Sequence, residues 1–248
     1  MNEWGYSLLS ASVVSLVSLI GIMSLMLGVR RIDRVIPLLI SLAVGSLFGD
    51  AFIHLLPEAF SESTNQVLTS LYIIVGILLF LVMESLLHWH HEHHTQTLNP
   101  IHPVGQVILV ADGVHNLLDG LIIGASYLVS VPVGLATTLA VLLHEVPQEL
   151  GDFGVLIHAG FTPRRALIVN FLSAILAVVG VVISLLLGGD GGRYTAVMVP
   201  ITAGGFIYIA GADLIPELHK EHELRASLAQ IAVVMIGIGL VFLPLLVE

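Results

Sequence analysis

Apolar stretches long enough to cross a bilayer follow one another along almost the whole chain, separated mostly by short polar connectors. A helical span needs about 20 mostly apolar residues. Eight stretches qualify: Tyr6–Val29, Val35–Phe60, Val67–His88, Gly105–Leu128, Val131–Gly160, Arg165–Leu187, Ala196–Leu218 and Ala226–Val247. Of the 248 residues, 56% are hydrophobic and only 10% are charged, too few charges to coat a water-soluble fold. Hydrocarbon cannot satisfy backbone polar groups, so each stretch must close its own hydrogen bonds as a helix. The expected class is therefore an all-α integral membrane protein with eight transmembrane helices, forming a single domain over 1–248. The lipid bilayer is its obligatory partner, and nothing in the sequence points to nucleic acid.

Basic residues orient the spans. Arg30, Arg31 and Arg34 lie between spans one and two, Arg164 and Arg165 between five and six, and Lys220 and Arg225 between seven and eight. All seven share one face of an eight-span arrangement, and only Arg193 lies on the other. The basic loops are expected in the cytoplasm and both termini outside. MNEWGYSLL lacks the basic leader of a cleavable signal, so Tyr6 onward reads as a retained helix. With no organelle address visible, a cell-boundary membrane (plasma or inner) is expected.

Span two contains Asp50-Ala-Phe-Ile-His54-Leu-Leu-Pro57-Glu58, and span seven contains Ile209-Ala-Gly-Ala-Asp213-Leu-Ile-Pro216-Glu217. Both set a polar residue three positions before the proline of a Pro-Glu pair, on spans that run in opposite directions. This predicts spans one to three and six to eight as inverted repeats around a central pair, a 3+2+3 arrangement with its site near mid-membrane. Gly45 and Gly49, like Gly120 and Gly124, give small faces on which helices can approach closely.

The central pair carries the chemistry. Residues three, four and seven apart share a helix face. Asp112, His115, Asn116 and Asp119 therefore form one stripe on span four. His144, Gln148 and Asp152 form another on span five, with Glu145 and Glu149 beside it. No lysine or arginine lies within a span core, so the countercharge must come from a cation or from protons. The chain has no cysteine, which leaves imidazole, carboxylate, amide and thioether as ligands. A mixed nitrogen and oxygen set suits Zn²⁺ or another divalent transition ion better than Ca²⁺. The structural alternative is a hydrogen-bonded network that stiffens the bundle. Pro147 frees the carbonyl of Leu143 within span five, and Pro57 and Pro216 do the same in their spans. Asp50 and His54 lie four apart on span two, where they could add ligands or line a path, as could Asp213. A connector of about 88–104 carries His88, His90, His91, His93 and His94, with His102 beyond. Such a tract binds divalent metal weakly in almost any fold.

His115-Asn-Leu-Leu-Asp119-Gly with His144-Glu-Val-Pro-Gln-Glu-Leu-Gly-Asp152 resembles the Zrt/Irt-like (ZIP) family of divalent metal transporters, especially the subfamily whose fifth helix reads HEXPHEXGD. The resemblance covers nearly the whole chain. It implies eight helices, both termini outside, a homodimer and a binuclear centre between helices four and five. Carried over by position, a primary site would use His54, His115, Asp119, His144, Glu145 and Gln148. A secondary site would share Asp119, Glu145 and Gln148 and add Asn116 and Asp213. Asp50 would lie on the outer approach, with Glu149 and Asp152 along the path. The departure is Gln148, where this subfamily has histidine.

The expected function is transport of Zn²⁺ into the cytoplasm by alternating access, with Fe²⁺, Mn²⁺ and Cd²⁺ as other cargoes and no bound cofactor. The rival class is an intramembrane zinc metallohydrolase built on His-Glu-x-x-His. Gln148 occupies the place of the second histidine, which argues against an enzyme.

Overall fold

The computed structural model describes residues 3–21, 29–61, 63–93, 104–188, 192–219 and 223–241. Among them there is no strand, and the helical segments string into eight rods. We label these α1 (Glu3–Ile20), α2 (29–61), α3 (Gln66–His93), α4 (Val104–Val129), α5 (Val131–His158), α6 (Pro163–Leu187), α7 (Arg193–Leu218) and α8 (Leu224–Leu240). By length and composition, α1, α2, α3, α4, α6 and α7 can cross a membrane. α8 is shorter, and α5 has the length but carries His144, Glu145, Gln148, Glu149 and Asp152. α3 continues as helix through His93, so the histidine tract begins inside a helix instead of a loop. The run 77–93 contains no glycine or proline to stop it.

Polar and apolar residues are distributed inside out. Val67 and Leu224 are 71% and 75% exposed, whereas Asp119 and Glu145 are 0% exposed. Where the surroundings are lipid, burying leucine gains little, and helices associate through close packing and interhelical polar contacts. Paired glycines provide that packing. A Cβ on Gly45 would lie 2.1 Å from the carbonyl oxygen of Val234, and one on Gly237 2.4 Å from that of Leu42. The same reciprocity joins α3 to α7 through Gly76 and Gly204, and α4 to α6 through Gly120 and Gly180.

Contact order gives the helix directions. Gly45 and then Gly49 meet Val234 and then Ile238, so α2 and α8 are parallel. Gly120 and Gly124 meet Ala177 and then Val181, making α4 and α6 parallel as well. Gly105 lies against Ala159 while Gly134 lies against Tyr127, so α4 and α5 are antiparallel. Extensive contacts join α1, α4, α5 and α6 to one another, and others join α2 to α8 and α3 to α7.

Two helices depart from α geometry at matching places. α2 is π-helical over Asp50–Leu55 and α7 over Ile209–Leu214. In each, the last amide before the proline reaches five residues back, Leu56 to Ala51 and Ile215 to Ala210. The widened turn absorbs a proline that cannot donate. Pro147, by contrast, sits inside an uninterrupted α-helix.

Candidate metal centre

A single residue, Ser130, connects α4 and α5. Its hydroxyl accepts from the Val133 amide at 3.3 Å, and Pro132 occupies the first turn, so α5 starts at once. With so short a link, residues equally far from Ser130 must meet at the same depth. His115 precedes it by fifteen residues and His144 follows it by fourteen, which at about 1.5 Å per residue puts both roughly 20 Å from the hairpin tip.

There the structure gathers His115, Asp119, His144 and Glu145, all buried, with one donor atom of each lying within 4.8 Å of the others. The two Nε2 atoms are 3.3 Å apart, and His144 Nε2 is 3.2 Å from Asp119 Oδ2. His115 Nε2 lies 3.7 Å from Asp119 Oδ2 and 3.8 Å from Glu145 Oε1. His144 Nε2 is also 3.8 Å from Glu145 Oε1. Four donors at zinc bond lengths of about 2.0–2.1 Å stand roughly 3.3 Å apart on a tetrahedron, so these spacings fit one ion at the centre.

The protonation pattern agrees. His144 Nδ1 is 3.1 Å from the carbonyl oxygen of Ala140. That acceptor fixes the proton on Nδ1 and turns the Nε2 lone pair inward, as metal-bound histidines require. Phe80 meets His115 edge-on and Phe206 does the same to His144, limiting rotation of both rings. Neither oxygen of Asp119 nor of Glu145 has a hydrogen-bond partner. Anionic oxygens buried without donors are costly, and a cation removes that cost.

A second group, Asp112, Glu145 and Glu149, also brings one donor atom of each within 4.8 Å of the others. Asp112 and Glu149 lie eighteen and nineteen residues from Ser130, about one helical turn beyond the histidines. Asn116 donates to Asp112 Oδ1 at 2.7 Å. From α6, Ser173 donates to Asp112 Oδ2 and Asn170 to Glu149 Oε2. Neither Asn170 nor Ser173 stood out in the sequence, although polar residues three apart in an apolar span were a readable signal.

His54 falls in neither group. Its Nδ1 faces Asp50 Oδ1 at 3.1 Å, while Thr137 of α5 donates to Asp50 Oδ2 at 2.7 Å. His54 Nε2 is buried without a partner. Asp50 thus orients His54 and ties α2 to α5. Gln148 and Asp152 are half-buried on α5, and Asp152 belongs to neither group. Asp213 belongs by its backbone to the π segment of α7. The side chains of Asp213, His90, His91 and His93 lie outside the described part, and His94 lies outside the described residues altogether.

A family model described as ZIP Zinc transporter matches residues 4–105 and 88–244. Zinc transporter zipt-7.1 of Caenorhabditis briggsae is 30% identical over 85% of this chain and 71% of its own length. Zinc transporter ZIP13 of Pongo abelii is 35% identical over 81% of this chain and 64% of its own length. Metal cation symporter ZIP8 of Rattus norvegicus is 29% identical, covering 87% of this chain and 63% of that protein.

Proposed function

Because the chain belongs to the ZIP zinc transporter family, we propose that it moves Zn²⁺ across the membrane into the cytoplasm, with His115, Asp119, His144 and Glu145 as the ligands at mid-membrane. The observation that carries this reading is the set of four buried donors spaced for one tetrahedral ion, two of them carboxylates without any other partner. His54 joins from α2 through its unpartnered Nε2, and Asn116, Gln148 and Asp213 shape the surroundings of the ion. The protein acts as a carrier and not as a hydrolase, since Gln148 replaces the second histidine that a His-Glu-x-x-His enzyme needs.

Orientation follows the basic residues. The α4–α5 turn faces outside together with both termini, and the exposed Arg164 and Arg165 face the cytoplasm. The ion arrives past Asp50, exchanges water for the four donors, and leaves toward the histidine tract at the end of α3. Alternating access rocks α1, α4, α5 and α6 against α2, α3, α7 and α8, within a homodimer. Fe²⁺, Mn²⁺ and Cd²⁺ compete for the same donors.

The test is zinc uptake by proteoliposomes containing His144→Ala or Glu145→Ala, with folding checked by size exclusion. Even outer partners of a metal site change affinity by about 10–100-fold, so loss of a direct ligand should cut uptake at least that much. Uptake at the unaltered rate by both variants would sink the proposal.

A further inference from the structure

We infer that one face of α5 is a seam that decides which side of the carrier is shut. Thr137 latches this face to α2 on the outer side of the ion, and Gly151 docks on the Ile36 turn of α2 when the inner side closes. The inference rests on the transport reading above and adds to it two residues that touch no ion.

Spacing and contacts define the seam. Thr137, His144 and Gly151 follow one another at intervals of seven on α5, so they share a face at levels about 10 Å apart. Gly21 precedes α2, and a Cβ there would stand 2.7 Å from Phe153 Cγ. The chain therefore enters α2 beside the inner end of α5, and the two helices run antiparallel. Thr137 bonds to Asp50. Counting seven and fourteen residues back from Asp50, and the same numbers on from Thr137, sets Ala43 level with His144 and Ile36 level with Gly151. α2 and α5 pack against each other along this part of α2.

The two ends of the seam differ. At the outer end Thr137 and Asp50 are both 0% exposed, and the hydroxyl donates to Asp50 Oδ2 at 2.7 Å. Solvent reaches neither side chain. At the inner end Gly151 is exposed, although Thr137 and His144 on the same face are buried. A Cβ on Gly151, or on Gly154 one turn further, would meet no described atom within 4 Å. Glycine inside a helix is destabilising relative to alanine and is kept where another backbone comes close. Gly45, Gly76 and Gly120 fit that rule, since a Cβ on each would lie 2.1, 2.1 and 1.9 Å from a neighbouring carbonyl oxygen. Gly151 and Gly154 have no such neighbour in this conformation, so the close approach belongs to the opposite one. α2 and α5 meet at Thr137 and diverge toward Gly151: the carrier is shut outside and open inside. Rocking the other way breaks the Thr137–Asp50 bond and brings Gly151 onto the Ile36 turn.

The experiment uses the full chain in proteoliposomes. The chain has no cysteine, so an introduced pair reads out alone. Ile36→Cys with Gly151→Cys should form a disulfide under diamide without any metal, which requires the two Cα atoms to come within about 7 Å. The bond should stop zinc uptake, and a reductant should restore it. Adding Thr137→Val should speed bond formation about three- to twentyfold, the population change expected from loss of one interhelical hydrogen bond. Thr137→Ser keeps the donor and should leave the rate alone. Gly151→Leu has room in the conformation described, so it should bind zinc as the unaltered chain does while its uptake falls at least tenfold. Gly239→Leu, also without a neighbour within 4 Å, should keep its uptake. Absence of the disulfide, or full uptake by Gly151→Leu, would overturn docking at Gly151. Equal rates of bond formation with and without Thr137→Val would overturn the latch. Because the disulfide needs no zinc, failure of the unaltered chain to take up zinc would count against the transport reading alone.

Discussion

α2 and α7 share one backbone and differ in chemistry. A separation of 159 residues relates Gly45 to Gly204, the first π residue Asp50 to Ile209, and Pro57 to Pro216. Gly45 docks α2 on α8, and Gly204 docks α7 on α3, each by a near contact with a carbonyl oxygen. The π turn then widens both helices just before the proline. Within that turn the residues diverge: α2 carries His54 and Asp50, the latter bonded to both His54 and Thr137, where α7 carries Ile209 and Asp213. The contrast teaches that packing and proline set the widened turn, while polar side chains were placed on each copy separately.

The severest way to break this equivalence is to crowd the glycines. Gly45→Ala and Gly204→Ala each drive a Cβ to about 2 Å from a backbone oxygen, which no side-chain rotation relieves. Each should cost about 3 kcal/mol, read as similar falls in melting temperature in detergent. A large loss at one position with none at the other would end the claim that the two helices dock alike.

Thr137→Val sharpens the comparison from the other direction, since its bond to Asp50 belongs to α2 alone. Interhelical hydrogen bonds in membranes are worth about 0.6–1.7 kcal/mol. A double-mutant cycle with Asp50→Asn should therefore return a coupling of about 1 kcal/mol. Zero coupling would show that the threonine does not hold α2 to α5.

The smallest effect is expected at Gly239, two residues beyond the Gly237 that touches α2. An added Cβ there meets nothing within 4 Å, so Gly239→Ala should be neutral or stabilise by up to about 1 kcal/mol through helix propensity. A loss as large as at Gly45 would mean that glycine at this interface does something other than permit close approach.

Much of the site was legible along the chain because helical spacing is a local property. Asp112, His115 and Asp119 had to share a face, and a short turn between Leu128 and Val131 had to set them against His144 and Glu145. Other parts were not legible. Asp152 shares the stripe of His144 yet lies outside both groups, while Glu149, beside that stripe, joins one. Helical phase alone does not separate neighbours that differ by about 100° around the axis. Asn170 and Ser173 act from a helix with no spacing relation to α4, so only contact between helices revealed them. The π turns were hidden as well, since Pro147 in α5 shows that proline does not by itself widen a helix.

The amino-acid order by itself determined that this is a bundle of membrane helices and that acids and imidazoles lie deep within it. Hydrocarbon permits only self-satisfied helices, and burying charge without countercharge is too costly to be accidental. Tertiary structure decided which of those groups meet. Glycine contacts fix the sliding register and rotation of α2 on α8, α3 on α7 and α4 on α6, and a shift of one residue in such a register would bring a different set of oxygens and nitrogens together.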